Sequence, residues 1–351
     1  MDAEQRASRA RAWQAMAMRR GPVAWALLPV AWLYGAAVAF KRAAHRWGWL
    51  RTDKLDVPVI VVGNVVVGGA GKTPTVMALV DALRQRGWTP GVISRGHGRR
   101  PSATPLAVQA DSQAIDVGDE PLQIHRATGV PVVVADRRID AGRALRQVHP
   151  EVDVIITDDG LQHWALHRDV SVVVMDDRGV GNGWLLPAGL LREPWPPSPP
   201  HRPSLVLQQR STLGKPPSVP MPVGVPRFEA TRSLSPWAIN GWGQQQAWAD
   251  WASTPVDAVA GVARPEVFFE MLRQGGLQHL QTHALPDHAP ASDYAAVWSR
   301  ANAALLCTDK DAVKLMALPD IDPTRVWRVP LLLSSGHDWT DAVIDQLPPR
   351  L

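Results

Sequence analysis

Val57 to Thr75 reads Val-Pro-Val-Ile-Val-Val-Gly-Asn-Val-Val-Val-Gly-Gly-Ala-Gly-Lys-Thr-Pro-Thr. Val59 to Val62 is a continuous β-branched run without a polar residue, the pattern of a strand covered on both faces. Gly68, Gly69 and Gly71 follow as a flexible turn, and an apolar-periodic helix is expected over residues 74–86. Strand, glycine-rich turn, Gly-Lys-Thr and helix together make a phosphate-binding loop. The backbone amides of Gly68, Gly69, Ala70, Gly71, Lys72 and Thr73 can wrap phosphate oxygens at the helix N-terminus, and Pro74 and Thr75 complete the expected nucleotide-binding set. Lys72 would reach the β/γ-phosphates and the Thr73 hydroxyl would hold Mg²⁺. The full signature wants a glycine where Val66 stands, so the reading rests on Gly-Lys-Thr, two further glycines and the context on both sides. The bland alternative is a tight turn that binds nothing.

Working outward, the chain of 351 residues is long enough for about two domains. Its single cysteine, Cys307, excludes a disulfide framework and sits in an apolar run as a buried small hydrophobe. The net charge of +4 is unevenly placed. Residues 1–56 carry ten Arg/Lys against four Asp/Glu, so the rest of the chain is slightly acidic. That argues against a nucleic-acid surface and for an anionic partner at the N-terminus.

Gly21 to Phe40 contains no charged residue and is rich in tryptophan and leucine, with arginines and lysine on both flanks. Its length is near the ~20 residues that cross a bilayer. It reads as a membrane-embedded or interfacial anchor. A buried core helix is the alternative, and a cleaved leader is rejected because it would export a nucleotide-binding domain. Everything after Val57 is expected to be cytosolic.

Three later segments repeat the pattern of a strand ending in polar residues. Residues 89–96 end in Ser94 and Arg95, residues 131–137 end in Asp136 and Arg137, and residues 152–160 end in Asp158, Asp159 and Gly160. Ligands collect at the carboxyl ends of parallel strands. An apolar strand ending in acidic residues is the usual Mg²⁺ partner of a phosphate loop: one carboxylate holds the metal, the other is an acid/base candidate. His163 and His167 lie four apart, but nothing nearby completes a zinc site. With Val170 to Met175, about five parallel strands are expected, an α/β doubly wound sheet. Residues 194–226 hold 11 of the 32 prolines and read as a linker with one strand, from Ser204 to Gln208. The expected organisation is a membrane-associated segment over 1–56, a P-loop nucleotide-binding domain over 57–193, a proline-rich linker over 194–226 and a smaller α/β domain over 227–351.

Ser-Arg-Gly-His (94–97), Gly-Asp-Glu-Pro (118–121), Asp-Asp-Gly-Leu-Gln-His (158–163), Leu-His-Arg-Asp (166–169), Leu-Pro-Ala-Gly to Leu-Arg-Glu-Pro (186–194), Pro-Asp-His (286–288) and Thr-Asp-Lys-Asp-Ala-Val-Lys-Leu (308–315) join the phosphate loop in one ordered set. The set resembles tetraacyldisaccharide 4′-kinase, the lipid A precursor kinase of Gram-negative bacteria. The sequence departs from that family at Leu161, where a larger aromatic is usual, and at Ala70, where Ser or Thr is usual. The resemblance implies transfer of the ATP γ-phosphoryl, with Mg²⁺, to the 4′-hydroxyl of an acylated glucosamine disaccharide 1-phosphate. It implies that Asp119, assisted by His288, is the general base, with Lys72 and Asp159 in the catalytic set. It makes Ser94, Arg95, Arg137, His163, Arg192 and Glu193 candidates for holding the substrate. It also implies work at the cytoplasmic face of the inner membrane, with no nucleic acid and no obligate protein partner. The competing reading is a membrane-attached NTPase switch that acts on a protein.

Overall fold

Fifteen short strands, divided between two sheets, carry the architecture of the computed structural model, which describes residues 9, 12–198, 201–211, 219–334, 336 and 338–350. Seven strands of the larger sheet are parallel: β1 (Val59–Gly63), β2 (Pro90–Ser94), β4 (Val132–Val134), β5 (Val154–Asp158), β6 (Val170–Met175), β7 (Leu205–Ser211) and β8 (Arg227–Leu234). β3 (Leu106–Ala107) and β15 (Leu331–Ser334) pair antiparallel at its two edges. The order is β15-β8-β7-β6-β1-β5-β2-β4-β3, with β1 central. All five residues of β1 are buried, as an apolar run between two covering layers requires.

One face of this sheet is covered by α3 (Lys72–Gln85), whose Val76, Leu79, Val80 and Leu83 are fully buried at helical spacing. α4 (Asp119–Thr128) packs on the same side, and α5 (Arg138–Val148) covers the other with Ile139 and Leu145. Before β1 lie, among other helical residues, α1 (Pro22–Ala26) and α2 (Leu28–Arg46).

The smaller sheet has the order β10-β9-β14-β13-β11-β12. β11 (Val256–Ala260), β12 (Leu280–Ala284), β13 (Leu305–Cys307) and β14 (Val326–Arg328) are parallel, and β9 (Trp237–Asn240) and β10 (Gln245–Ala247) add an antiparallel edge. α6 (Pro265–Gln274) and α7 (Asp309–Leu315) belong to this half. Cys307 is buried, as its apolar surroundings predict. The chain then returns: β15 joins the first sheet, and α8 (Asp338–Ile344) places Trp339, Val343 and Ile344 in the first core.

Two expectations are corrected here. The proline-rich stretch 194–226 is not merely a connection. The strand expected there is present as β7, and it is a buried interior strand of the large sheet between β6 and β8. Prolines punctuate its ends and leave Leu205–Ser211 free to donate to the ladder. The large sheet therefore continues past residue 193, through β8 and back through β15.

The apolar N-terminal run is also not one spanning helix. Among the described residues no helix is long and apolar enough to cross a membrane. The run breaks at Leu27, with Pro29 in the first turn of α2, and α2 continues through Lys41 and Arg42 to Arg46. One side of α2 is tied to the body: the Tyr34 hydroxyl donates to the Arg192 carbonyl at 2.8 Å, and Arg42 pairs with Glu193. Gly35 faces Leu185, whose Cδ1 would lie 2.8 Å from a Cβ at this position. The other side leaves Trp32, Leu33 and Phe40 exposed, with Trp25 beside them on α1.

If the C-terminal helix completes the first core, Trp339→Ala should cost about 3–5 kcal/mol in urea unfolding. A loss below about 1 kcal/mol would contradict that packing.

Candidate active site

The glycine-rich turn closes onto the start of α3. Gly71 is left-handed (φ 81°) and leads directly into the helix, and a Cβ at this position would lie 1.9 Å from Gln209 Oε1. Gln209, fully buried on β7, donates to the Gly71 carbonyl at 3.0 Å and to the Thr75 hydroxyl at 2.7 Å. Thr75 in turn donates to the Gly71 carbonyl at 2.9 Å. Thr75 thus braces the loop from inside and does not line the cleft, which corrects its expected place among residues facing the nucleotide.

Arg178 supports the other side. Its guanidinium pairs with Asp176 at 2.8 Å and donates to the carbonyls of Val67 and Gly69, each at 2.9 Å. Asn64 donates to the Gly68 carbonyl at 3.0 Å. With its carbonyls held from behind by Asn64, Gln209, Thr75 and Arg178, the loop is preorganised to offer its amides to an anion.

Gly68 to Pro74 form one wall of a cleft of about 440 Å³ that opens between the two sheets. Asp159 and Arg192 stand on the same wall. Arg192 Nη1 lies 3.0 Å from both Asp159 oxygens, and Lys72 Nζ lies 3.8 Å from one of them. Burial would raise the Asp159 carboxyl, but Lys72 and Arg192 outweigh it and hold the group below the usual carboxylate range. Its backbone is left-handed (φ 47°), a strained state for a non-glycine residue, and the Arg138 guanidinium holds its carbonyl at 2.7 Å.

Asp158 lies beneath, 1 % exposed, and neither carboxylate oxygen has a hydrogen-bond partner. Burial, with the negative charges of Glu120 and Asp159, pushes it up to about 7 against the pull of Lys72.

The opposite wall comes from the second sheet. His288 is also left-handed (φ 58°), and its Nδ1 lies 3.4 Å from Asp119 Oδ2. Lys314 Nζ approaches the same oxygen at 2.9 Å and is fixed by the Ala289 carbonyl at 2.8 Å. Burial raises Asp119, but the His288 and Lys314 contacts overcome it and keep the carboxylate ionised well below neutrality. Lys310 bridges Asp287 at 2.7 Å and Glu120 at 3.7 Å, so each sheet contributes one carboxylate to it. The His97 ring meets the His288 ring edge-on, with centroids 4.7 Å apart.

The sequence-predicted residues therefore divide. Lys72, Asp159, Arg192 and His288 line one cleft, and Asp119 stands behind His288 at 3.4 Å. Thr73 and Ala70 line the cleft with the glycines. Ser94 is buried at the end of β2, where its hydroxyl accepts the Gly96 amide at 3.4 Å. Arg95 is exposed. Arg137 does not point to the site: it pairs with Asp53 at 3.6 Å and with Asp140. The buried guanidinium there is its neighbour Arg138, which donates to Thr157 at 3.0 Å and to the Asp158 and Asp159 carbonyls. His163 is half-buried, pushed down to about 4 by burial and by Arg138, Lys41, Arg168 and Arg95. Glu193 is buried against Arg42 and accepts from Gln162 at 2.8 Å.

Sequence reasoning did not single out Arg138, Arg178, Gln209, Lys310 or Lys314. The two lysines carried a usable signal, since a spacing of four puts both on one helix face. Gln209 had none, being hidden among prolines.

Among the described residues no three His, Cys, Asp or Glu side chains group as a metal site. Asp158 and Asp159 with the Thr73 hydroxyl are instead an all-oxygen set of the kind Mg²⁺ accepts alongside phosphate oxygens and water.

Comparison with known proteins places these features in a family. The family model described as tetraacyldisaccharide-1-P 4′-kinase matches residues 23–348. A tetraacyldisaccharide 4′-kinase of Acidovorax sp. (strain JS42) is 50 % identical over 343 residues, covering 93 % of this chain and 95 % of that protein. The Methylibium petroleiphilum enzyme of the same name is 49 % identical, covering 95 % and 92 %. Among solved structures, LpxK from Aquifex aeolicus in complex with ATP superposes with a TM-score of 0.72 at 26 % identity, covering 93 % of this chain and all of that one. The chain belongs to the tetraacyldisaccharide-1-P 4′-kinase family.

Proposed function

We infer that this chain transfers the γ-phosphoryl group of ATP to the 4′-hydroxyl of a tetraacyldisaccharide 1-phosphate. The observation that carries the reading is the meeting of Asp119 and His288, from opposite sheets, across the cleft from a braced phosphate loop. A transferable phosphoryl in the loop and an alcohol beside Asp119 would face one another between these walls. The ionised Asp119 carboxylate accepts the hydroxyl proton as the oxygen attacks. His288 orients that carboxylate and shares the proton. Lys72 and Arg192 counter negative charge on the transferring group, the principal electrostatic term in phosphoryl transfer. The orphaned Asp158 oxygens, Asp159 and Thr73 fit Mg²⁺, which when bound would neutralise phosphate charge.

The exposed aromatics on α1 and α2, flanked by arginines, support an interfacial placement of this face on the cytoplasmic side of the inner membrane. There the enzyme could take its acceptor from the bilayer without an anchor that crosses it.

Three outcomes are expected. ATP turnover by the purified protein should depend on the detergent-dispersed acylated disaccharide, and His288→Ala should slow transfer by roughly 10²–10⁴-fold. Turnover indifferent to lipid, with little effect of the substitution, would favour an NTPase switch instead. Lys314→Met should move the acidic limb of the kcat/KM profile to higher pH, because burial then acts on Asp119 with less opposition. An unmoved limb would remove Asp119 from the role of base. Replacing exposed Trp32 and Leu33 together by glutamate should release the protein from anionic vesicles in a sedimentation assay while leaving its Tm within about 2 °C. Unchanged vesicle binding would contradict the interfacial placement.

A further inference from the structure

Two lysines of α7 grip the loop that carries His288. Lys314 Nζ donates to the Ala289 carbonyl at 2.8 Å, one residue after the histidine. Lys310 Nζ donates to Asp287 Oδ1 at 2.7 Å, one residue before it. Between the lysines, Asp311 is fully buried. It accepts from the Tyr294 hydroxyl at 2.6 Å, the Thr308 hydroxyl at 2.6 Å and the Gly261 amide at 2.9 Å. That network ties α7 to the small sheet and sets the position of both ammonium groups.

Lys310 reaches one atom further than this grip needs. Its Nζ lies 3.4 Å from His288 Nε2. An ammonium has three N–H donors and no acceptor, so the nitrogen it meets has to offer a lone pair. Burial would lower Lys310, but Asp287 and Glu120 outweigh it and hold the group above the usual lysine range, so it stays charged.

The other ring nitrogen faces the opposite chemistry. His288 Nδ1 is buried, and Asp119 Oδ2 stands 3.4 Å from it, without the alignment of a full hydrogen bond. Catalytic hydrogen bonds are often this loose before substrate binds. A proton on Nδ1 gives each nitrogen a complementary neighbour: Nδ1–H meets a carboxylate, and the Nε2 lone pair meets an ammonium. A proton on Nε2 would set N–H against N–H on one side and lone pair against carboxylate on the other. Asp287 Oδ1 does not rescue that second arrangement, being 3.7 Å from Nε2 and already accepting from Lys310. His97 meets the ring edge-on; burial and His288 hold it below the usual histidine range, so it adds no fixed charge to the choice.

We propose that Lys310 is a positioning residue for the transfer: as a donor to Nε2 it fixes His288 in the tautomer that carries its proton on Nδ1 and presents it to Asp119. Which imidazole nitrogen is protonated is set by the hydrogen bond the other one makes. The assignment rests on the kinase reading above and deepens it. Nδ1–H and Lys314 would together hold Asp119 Oδ2, leaving Oδ1 to take the proton of the acceptor hydroxyl.

The test is the ring-nitrogen NMR spectrum of the full chain labelled with ¹⁵N-histidine, at a pH where the His288 ring is neutral. The His288 signals are identified by their loss in His288→Gln. Wild-type protein should carry the proton on Nδ1 of His288, and Lys310→Met should move a share of it to Nε2. A proton on Nε2 in the wild-type protein, or an unchanged ratio in the variant, would overturn the proposal. The wild-type spectrum decides even where the variant fails to fold. Kinetics give a second readout. Lys310→Met should slow single-turnover transfer roughly 10–100-fold, and the same change made in His288→Ala should slow it little further. An equal factor in both backgrounds would also overturn the proposal, leaving Lys310 a group that acts on phosphoryl charge or on the fold. Absence of transfer by wild-type protein would instead count against the kinase reading, while the spectrum still decides the tautomer.

Discussion

The contact on which the arrangement depends is the one between Asp119 and the pair His288 and Lys314. Asp119 begins a helix of the large sheet, and its partners come from a loop and a helix of the small one. Its carboxylate is buried, and breaking such a pair by removing one partner typically costs about 3–5 kcal/mol, because the remaining charge is left uncompensated. The same contact therefore holds the two walls together and keeps the carboxylate ionised. Lys310, reaching to Asp287 and Glu120, repeats the device a turn earlier on α7. A cleft closed by charged contacts can open when those contacts are rehydrated.

The opposite wall solves a different problem. A phosphate loop must point its amides outward, so its carbonyls must be satisfied from behind. Arg178 with Asp176, Asn64 and Gln209 do this, from the turns after β6 and β1 and from β7, and Thr75 of α3 joins Gln209. The proline-rich stretch is consequently part of the catalytic scaffold, because it delivers the buried Gln209. Ala70, which lacks the hydroxyl usual in the family, leaves this backbone support untouched.

Much of this was legible in the sequence, because local chemistry enforced it. An apolar strand, glycines and Gly-Lys-Thr admit few structures, and the strand ending in Asp158 and Asp159 followed by the same logic. Asp119 and His288 could not be joined by spacing, since they are far apart in sequence; only the family resemblance linked them. The N-terminal run misled because hydropathy records length and charge but not what a helix packs against. Tyr34 and Arg42 fasten α2 to residues 192 and 193, and Leu27 and Pro29 interrupt the run. Arg137 misled for a related reason: two adjacent arginines at a helix start diverge, and Arg138 turned inward while Arg137 turned to Asp53. Gln209 stayed invisible because the expected strand stopped one residue short of it, at Gln208, and nothing in the sequence marks a glutamine there as a brace for a distant loop.

The central claim is that Asp119 and His288 act as one proton-accepting unit. A double-mutant cycle on single-turnover transfer to the acylated disaccharide tests it most directly, with Asp119→Asn, His288→Ala and the pair together. A single unit predicts that the double variant is scarcely slower than the slower single one. Losses that multiply, as for independent sites, would contradict it.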